Sequence, residues 1–313
     1  MGLFSRNYNK EGKGVEKDEA PAPGFLRIWQ LFFRNFNKMM FYGIIMGIVV
    51  LPLIVAAVAY VATLSPEIAE EFRNALEAAE KNPGDQVVQL PNVWVGMALM
   101  LAVSIPQGVW IPILIVCALL YGPLTCGLTY CVRNHVREEH VWLSDIFTRA
   151  WKNKWQGLFF GILDILITVS TLMYLYAAAP KTESDSSFLL YLQVLSVVIY
   201  LIYQAMRWYI YQMIVTFNLK ITGLLKNAWM FVILGSGRNL IALVFTLMLI
   251  LFFYVFPVLF PAAFPMFLVL AFLFSGSIIP YSQVFITYPV MHKYLVAPAL
   301  AEQEKKQRNV RMD

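Results

Sequence analysis

Charged residues are scarce in this chain: of 313 residues, 14% are Asp, Glu, Lys or Arg, against about a quarter in soluble globular proteins. Hydrophobic residues make up 59%, and the mean hydropathy is +0.64. A water-soluble domain could not bury so large an apolar fraction. The composition therefore excludes an ordinary soluble domain and indicates a protein of the lipid bilayer.

Histidine is also scarce, and the pattern around two of the three histidines fails as a metal site. His135 and His140 flank Glu138 and Glu139 as in a zinc-protease motif, but they lie five residues apart instead of four, so they would not share a helical face. The sequence also lacks a glycine-rich phosphate loop and a nucleophile elbow. We therefore expect no catalytic residue, cofactor, metal or nucleic-acid partner, and no enzymatic activity.

What the sequence has in place of charge is long apolar stretches. About 20 helical residues cross the roughly 30 Å of hydrocarbon in a bilayer. Six stretches are long enough, namely 40–63, 94–121, 157–179, 188–216, 240–260 and 264–290. They do not show the period-two alternation of barrel strands. The fold prediction is an all-α integral membrane protein with six transmembrane helices.

Lys and Arg are distributed unevenly between the apolar stretches. The N-terminal segment, the second gap, the fourth gap and the C-terminal tail are rich in them. The first and third gaps hold only Arg73, Lys81 and Lys181, and the fifth holds none. Because cytoplasmic loops carry the excess of these cations, the distribution places both termini in the cytoplasm.

The predicted organisation is one membrane domain with two polar extensions. Residues 1–24 are expected to form a flexible cytoplasmic segment, 25–295 the six-helix domain and 296–313 a cytoplasmic tail. Arg34 and Lys38 precede the first apolar stretch, and no small-residue cleavage site follows it. This stretch is therefore predicted to be a retained helix and not a signal peptide.

Three amphipathic segments precede spans 1, 3 and 5. The first covers 25–41, the second begins near Ser144 as a predicted N-cap, and the third begins near Thr222 and stops at Gly235 and Gly237. Each is predicted to lie in the membrane interface as an elbow helix, with cations near the lipid headgroups. Each also places a cation, an Asn and an aromatic residue just before its span. This indicates either a threefold repeat of elbow and hairpin or ordinary interfacial anchoring.

The first gap carries a helix signal of its own. Ser65, Pro66 and Glu67 have the order of a helix start, and apolar residues then recur at helical spacing up to Asn82. We expect a short external helix over 66–81. It is either a docking surface for an extracytoplasmic partner or a cap that covers the bundle.

Two ionisable residues lie deep inside predicted spans. Asp164 lies roughly 10 Å from the start of span 3, and Arg207 roughly 13 Å from the end of span 4, at about 1.5 Å per helical residue. Because these neighbouring helices are antiparallel, the depths match and an intramembrane ion pair is predicted. The alternative, a proton or substrate relay, would need further carboxylates or histidines, which the spans do not supply.

Prolines occur in or near two spans, at Pro106, Pro112 and Pro123 for span 2 and at Pro280 and Pro289 for span 6. Each removes an intrahelical hydrogen bond and bends the helix. Broken helices form the sites of some transporters, but proline is ordinary in membrane helices. The prolines alone therefore predict no carrier function.

Five segments have a distinctive sequence, namely 1–10 (MGLFSRNYNK), 14–17 (GVEK), 122–130 (GPLTCGLTY), 132–140 (VRNHVREEH) and 144–147 (SDIF). They resemble the YesL family of bacterial membrane proteins, a domain of unknown function. The resemblance extends over nearly the whole chain and is most specific from Gly122 to Trp155.

The resemblance implies an accessory role in carbohydrate uptake, since members of the family are typically encoded beside carbohydrate ABC importers of Gram-positive bacteria. The implied partners are ABC permease subunits and an extracytoplasmic solute-binding protein, besides membrane lipids. The alternative is a stand-alone carrier for a sugar or other small solute. Partner contact is predicted around the second elbow. The candidate residues are Gly122, Pro123, Gly127, Tyr130, Arg133, Asn134, Arg137, Glu138, Glu139, His140, Trp142, Asp145, Phe147 and Trp151.

Overall fold

The structure, a computed structural model, describes residues 26–63, 70, 74, 106–177, 187–260 and 264–298. These residues form helices joined by turns, and no strand occurs among them. Six of the described helical segments are long and apolar enough to cross a membrane. The predicted all-helical class and the six spans are thereby confirmed, and they indicate a multi-pass membrane protein.

The described residues contain eleven α-helices in chain order. They are α1 (Leu26–Arg34), α2 (Phe36–Thr63), α3 (Gln107–Val136), α4 (Asp145–Lys152), α5 (Lys154–Ala177), α6 (Ser187–Thr216), α7 (Ile221–Leu234), α8 (Ser236–Ile250), α9 (Phe256–Leu259), α10 (Phe264–Leu270) and α11 (Gly276–Met291). π-helical turns at Leu251–Val255, Ala271–Ser275 and His292–Val296 follow α8, α10 and α11. The six spans lie in α2, α3, α5, α6, α8 with its π turn, and α10 through α11.

The largest correction concerns the second span. The sequence predicts it over 94–121, but α3 runs from Gln107 to Val136 without a break. The segment from Gly122 to Tyr130 is therefore helical throughout. The helix continues past the predicted end, and the polar residues beyond it pack inside the bundle; Arg133, for example, is only 6% exposed.

The ends of the short helices agree with the prediction in part. Ser144 precedes α4, but its hydroxyl makes no capping hydrogen bond. Instead, the Trp142 N–H donates to Asp145 Oδ2 at 2.9 Å. Gly235 ends α7 and α8 begins at the next residue, so Gly237 lies inside a helix. The predicted position of the N-cap at Ser144 and the predicted helix end at Gly235 are therefore confirmed, whereas Gly237 does not belong to the helix stop.

Four predicted regions lie outside the described residues. These are the N-terminal segment 1–24, most of the external helix at 66–81, the start of the second span at 94–105 and the tail from 299 onward. Within that helix, only Glu70 and Asn74 are described, and both are helical.

Helix α3 is the central element of the described bundle, since it contacts α2, α4, α5, α6 and α11. Two glycines permit the close contacts. A Cβ atom on Gly122 would lie 1.9 Å from the Gly157 carbonyl oxygen, and one on Gly127 would lie 2.0 Å from the Ile146 carbonyl oxygen. Only glycine lets α5 and α4 approach α3 to this distance.

One end of the bundle gathers many of the cations. Lys38, at the start of α2, donates to the Val141 carbonyl just after α3 at 2.8 Å. Gln156, at the start of α5, donates to the Leu219 carbonyl just after α6 at 2.7 Å. The starts of α2 and α5 therefore lie beside the ends of α3 and α6. We call this end of the bundle the basic end.

Candidate functional site

The structure brings Asp164 of α5 and Arg207 of α6 together. The Arg207 Nε–H donates to Asp164 Oδ2 at 2.7 Å. The side chain of Asp164 is 5% exposed and that of Arg207 is 18% exposed. The ion pair predicted from the matching depths of the two residues is therefore confirmed, in helices that run antiparallel to each other.

Three tyrosines complete the hydrogen bonding of this pair. The hydroxyls of Tyr203 and Tyr211 donate to the two oxygens of Asp164, the second at 2.7 Å. Arg207 Nη2 donates to the hydroxyl of Tyr121 on α3 at 2.6 Å. A buried ion pair is stable only when its remaining donors and acceptors are also satisfied, and these hydroxyls supply the missing bonds. The cluster joins α3, α5 and α6.

The glycine contact between α3 and α5 positions this cluster. Tyr121 is adjacent to Gly122, and Asp164 lies one helical turn after Gly161. A Cβ atom on Gly161 would lie 2.5 Å from the Cα atom of Gly122. Because no side chain separates the helices here, the Tyr121 hydroxyl reaches Arg207. The arrangement serves to lock three helices together.

The three tyrosines were not predicted from the sequence, although the spacing of two of them is a signal. Tyr203, Arg207 and Tyr211 are spaced four residues apart and so share one face of α6. Hydroxyls one turn on either side of the arginine can donate to the carboxylate that pairs with it. Tyr121 has no comparable signal, because its position depends on how α3 packs.

A second polar cluster lies at the basic end. Glu138 accepts hydrogen bonds from Arg27 at 2.5 Å and from Arg34 at 3.0 Å, so it joins the loop after α3 to α1. The pKa of the Glu138 carboxyl lies below its ordinary value, mainly because of the hydrogen bond from Arg27. The carboxylate is therefore charged at neutral pH.

The backbone at Glu138 fixes the direction of its side chain. Its φ angle is 60°, in the left-handed region that non-glycine residues avoid. The Glu138 N–H donates to the His135 carbonyl at 3.1 Å, and the Glu139 N–H donates to the Asn134 carbonyl at 2.8 Å. These two bonds form a Schellman motif, in which glycine usually occupies the left-handed position. Glutamate at this position provides the carboxylate that binds α1.

The predicted partner-contact residues separate into buried and exposed sets. Gly122, Gly127, Arg133 and Asn134 are buried within the chain, so they are removed from the predicted contact set. Pro123, Tyr130 and Asp145 are partly buried. The exposed members are Arg137, Glu138, Glu139, His140, Trp142, Phe147 and Trp151.

Three of the seven exposed members are large aromatic side chains. Trp142 is 68% exposed and Trp151 is 73% exposed, and Phe147 lies on the same face of α4 as Trp151. Trp155, at the start of α5, is exposed to a similar degree. We call these four residues the aromatic face. Lys154 lies beside it, with its ammonium 3.9 Å from the centroid of the Trp151 ring.

Comparison with protein-family models, with curated proteins and with solved structures finds no match for this chain.

Proposed function

We propose that this chain is a non-enzymatic accessory subunit of a carbohydrate ABC importer in a bacterial plasma membrane. In this proposal both termini are cytoplasmic and the basic end faces the cytoplasm. The uneven distribution of Lys and Arg supports that orientation. The resemblance of its polar segments to the YesL family supports the class of partner.

The observation that carries the proposal is the aromatic face. Trp142, Phe147 and Trp151 are exposed although they belong to the segment with the most family-specific sequence. Trp and Phe are enriched at the centres of protein interfaces, where they contribute much of the binding energy. We assign this face to the contact with an ABC permease subunit.

The support beneath the aromatic face is rigid, which suits a binding surface. The backbone of α4 contacts α3 at Gly127, and Arg149 of α4 donates to the Tyr130 hydroxyl at 3.0 Å. The Cζ atom of Arg149 lies 4.1 Å from the centroid of the Tyr130 ring. A partner that binds α4 would therefore meet a preorganised helix and lose little conformational entropy.

Within the proposal, α1, α4 and α7 are elbow helices in the cytoplasmic interface, each followed by a membrane hairpin. Their order in the chain supports this interpretation, since each one directly precedes a long apolar helix. The apolar and cationic residues of α4 match the composition of an interfacial helix. A threefold repeat of elbow and hairpin is the corresponding evolutionary proposal.

Affinity purification from native membranes in a mild detergent tests the accessory role. We expect permease subunits to copurify with the tagged chain and to be lost from the variant Phe147→Ala/Trp151→Ala. Trp229→Ala is the matched control, because Trp229 is an exposed tryptophan on α7 outside the aromatic face. The proposal fails if permease subunits never copurify, or if the control loses them to the same extent.

A specific observation favours the second candidate, a stand-alone carrier. Gln212 donates to the Thr287 hydroxyl at 2.8 Å, and Gln283 donates to the Thr246 hydroxyl at 3.3 Å, so polar side chains line the contact of α6, α8 and α11. Gln212 Oε1 and Trp208 Nε1 are buried without a hydrogen-bond partner in the described structure. Such a set could bind sugar hydroxyls in an open state. Proteoliposomes that take up no candidate sugar would eliminate this function.

A further inference from the structure

A cavity of about 460 Å³ lies at the basic end, between α4, α5 and α6. One wall comes from the last residues of α6 and the turn after it, residues 214–218. The other comes from the junction of α4 and α5, at Arg149, Lys152, Asn153, Trp155 and Gln156. The volume lies within the range of small-molecule sites, about 300 to 1,000 Å³.

The cavity wall is positively charged. Arg149 and Lys152 line the cavity, and none of the described lining residues is acidic. No described carboxylate lies within ion-pair distance of either cation. The cavity therefore carries positive charge that the described part of the chain does not neutralise.

A buried guanidinium behind the wall adds to this charge. Arg133 donates to the Val215 carbonyl at 3.4 Å and to the Thr216 hydroxyl at 2.5 Å, and both acceptors belong to residues that line the cavity. Its remaining described bonds go to the amide oxygen of Asn134. Every acceptor is neutral, so Arg133 too has no described counter-ion. Arrangements of this kind bind anions, because an added negative charge compensates buried positive charge.

The donors suit a phosphate group. Arg149 donates one N–H to the Tyr130 hydroxyl, and its planar guanidinium has further N–H groups that can donate to a phosphate. Lys152 and the amide of Asn218 make no hydrogen bond to a described residue and can also donate. Guanidinium groups bind phosphate oxygens through paired N–H donors.

The level at which the cavity lies in the membrane favours a lipid as the source of the phosphate. Its lining residues lie where two membrane spans meet their boundaries, at the start of Lys154–Leu175 and at the end of Leu189–Thr216. This is the level of the headgroups, whichever way the chain is oriented. Basic pockets between membrane helices at this level bind anionic headgroups.

We infer that this cavity binds a phosphate ester, supplied by the headgroup of an anionic phospholipid. Arg149 and Lys152 contact the phosphate oxygens, and Arg133 provides positive potential from behind. A bound headgroup would hold α4 against α6 and thereby stabilise the support of the aromatic face. The inference does not depend on the importer role, because it requires only the cavity and a bilayer.

Lipid titration of the full-length protein in an uncharged detergent tests the inference. The protein is delipidated and titrated with phosphatidylglycerol, phosphatidylcholine and inorganic phosphate, with native mass spectrometry as the readout. We expect phosphatidylglycerol to bind at least about tenfold more tightly than phosphatidylcholine. Both lipids carry a phosphate, but the trimethylammonium group of phosphatidylcholine is repelled by the cationic wall. Displacement of phosphatidylglycerol by millimolar phosphate would assign the site to a soluble phosphate compound, and persistence of the lipid would assign it to the bilayer.

Comparison of two charge reversals, one inside the cavity and one outside it, shows whether binding occurs in the cavity. The test variant is Lys152→Glu. Lys152 is exposed and makes no described hydrogen bond, so this variant should fold. Arg149→Gln is a second variant, although it also removes the contact with Tyr130. Lys226→Glu, an exposed cation on α7 outside the cavity, is the matched control. We expect Lys152→Glu to lose about tenfold in affinity and the control to change by less than twofold. Equal losses, or no binding of either lipid or phosphate, would overturn the inference.

Discussion

At the residue scale, Asp164 shows why a buried charge is tolerated in this bundle. Its carboxylate accepts hydrogen bonds from Arg207, Tyr203 and Tyr211. The desolvation cost of a buried carboxylate is several kcal/mol, and complete hydrogen bonding offsets it only while all partners remain. The pair is therefore a cooperative unit, and the loss of one member costs more than the loss of both.

This cooperativity gives a double-mutant prediction. Asp164→Ala should lower the free energy of unfolding by about 3 to 5 kcal/mol, because it leaves Arg207 as an uncompensated buried charge. Addition of Arg207→Ala should restore part of that loss. Reversible unfolding in detergent micelles measures each value. Tyr191→Ala, at an exposed position on α6, should change stability little. An Asp164→Ala protein as stable as the wild type would show that the pair has no structural role.

Glu138 gives a prediction about pH. Its pKa is lowered, chiefly by the hydrogen bond from Arg27, so it contributes stability above the ordinary glutamate pKa of about 4.3 and loses this contribution as the pH falls through the lowered value. The difference in melting temperature between wild type and Glu138→Gln should therefore be largest near neutral pH and disappear in acid. Glu139→Gln is the control, since Glu139 pairs with Arg137 and does not contact α1 through an ion pair. A difference that does not depend on pH would refute the role of the charge.

At the element scale, α3 shows where sequence reasoning fails and why. Hydropathy treats Arg133 and its polar neighbours as loop residues, so the predicted span ends at 121. In the structure, the backbone carbonyl of Val215 and the hydroxyl of Thr216 bind Arg133, and α3 continues to Val136. These acceptors lie in α6, and no local pattern identifies them. The clamp from Arg27 and Arg34 to Glu138 was missed for the same reason, because it depends on where α1 packs.

The packing of α3 against α5 gives a prediction with a control in the same helix. Gly122→Ala would place a methyl group 1.9 Å from the Gly157 carbonyl oxygen, so the helices must separate. We expect a loss of about 1 to 3 kcal/mol, the usual cost of overpacking. Gly108→Ala meets no atom within 4 Å and should be neutral or stabilising, since alanine favours helix.

Thermal unfolding in detergent compares the two alanine variants of α3. Separation of α3 from α5 should also move Tyr121 away from Arg207, so Gly122→Ala should lose more stability than Gly108→Ala by a clear margin. Equal melting temperatures for the two variants would contradict the close helix contact.

At the scale of the whole molecule, the parts that sequence predicted are those that depend on averages over many residues. The six spans follow from mean hydropathy and length, because the cost of crossing a bilayer is a sum over about 20 residues. The Asp164–Arg207 pair followed from depth alone, since both residues lie in uninterrupted helices with a constant rise per residue. The tyrosines around the pair and the cavity beside Arg149 depend on individual contacts, and these emerge only from the packed bundle.

The distribution of cations predicts the orientation of the molecule, and two single cysteines can test it. Ser144→Cys lies at the basic end, and Ser184→Cys falls in the sequence between α5 and α6, outside the described residues. The three native cysteines are free and buried, so wild type provides a low labelling background. A membrane-impermeant maleimide added to intact cells should label Ser184→Cys alone, and Ser144→Cys only after permeabilisation. The physical reason for this pattern is that cation-rich segments stay in the cytoplasm. The basic end contains such a segment, with Arg149, Lys152 and Lys154. The reverse labelling pattern would show the opposite orientation in the membrane. The aromatic face could then meet a permease subunit only on the outer side.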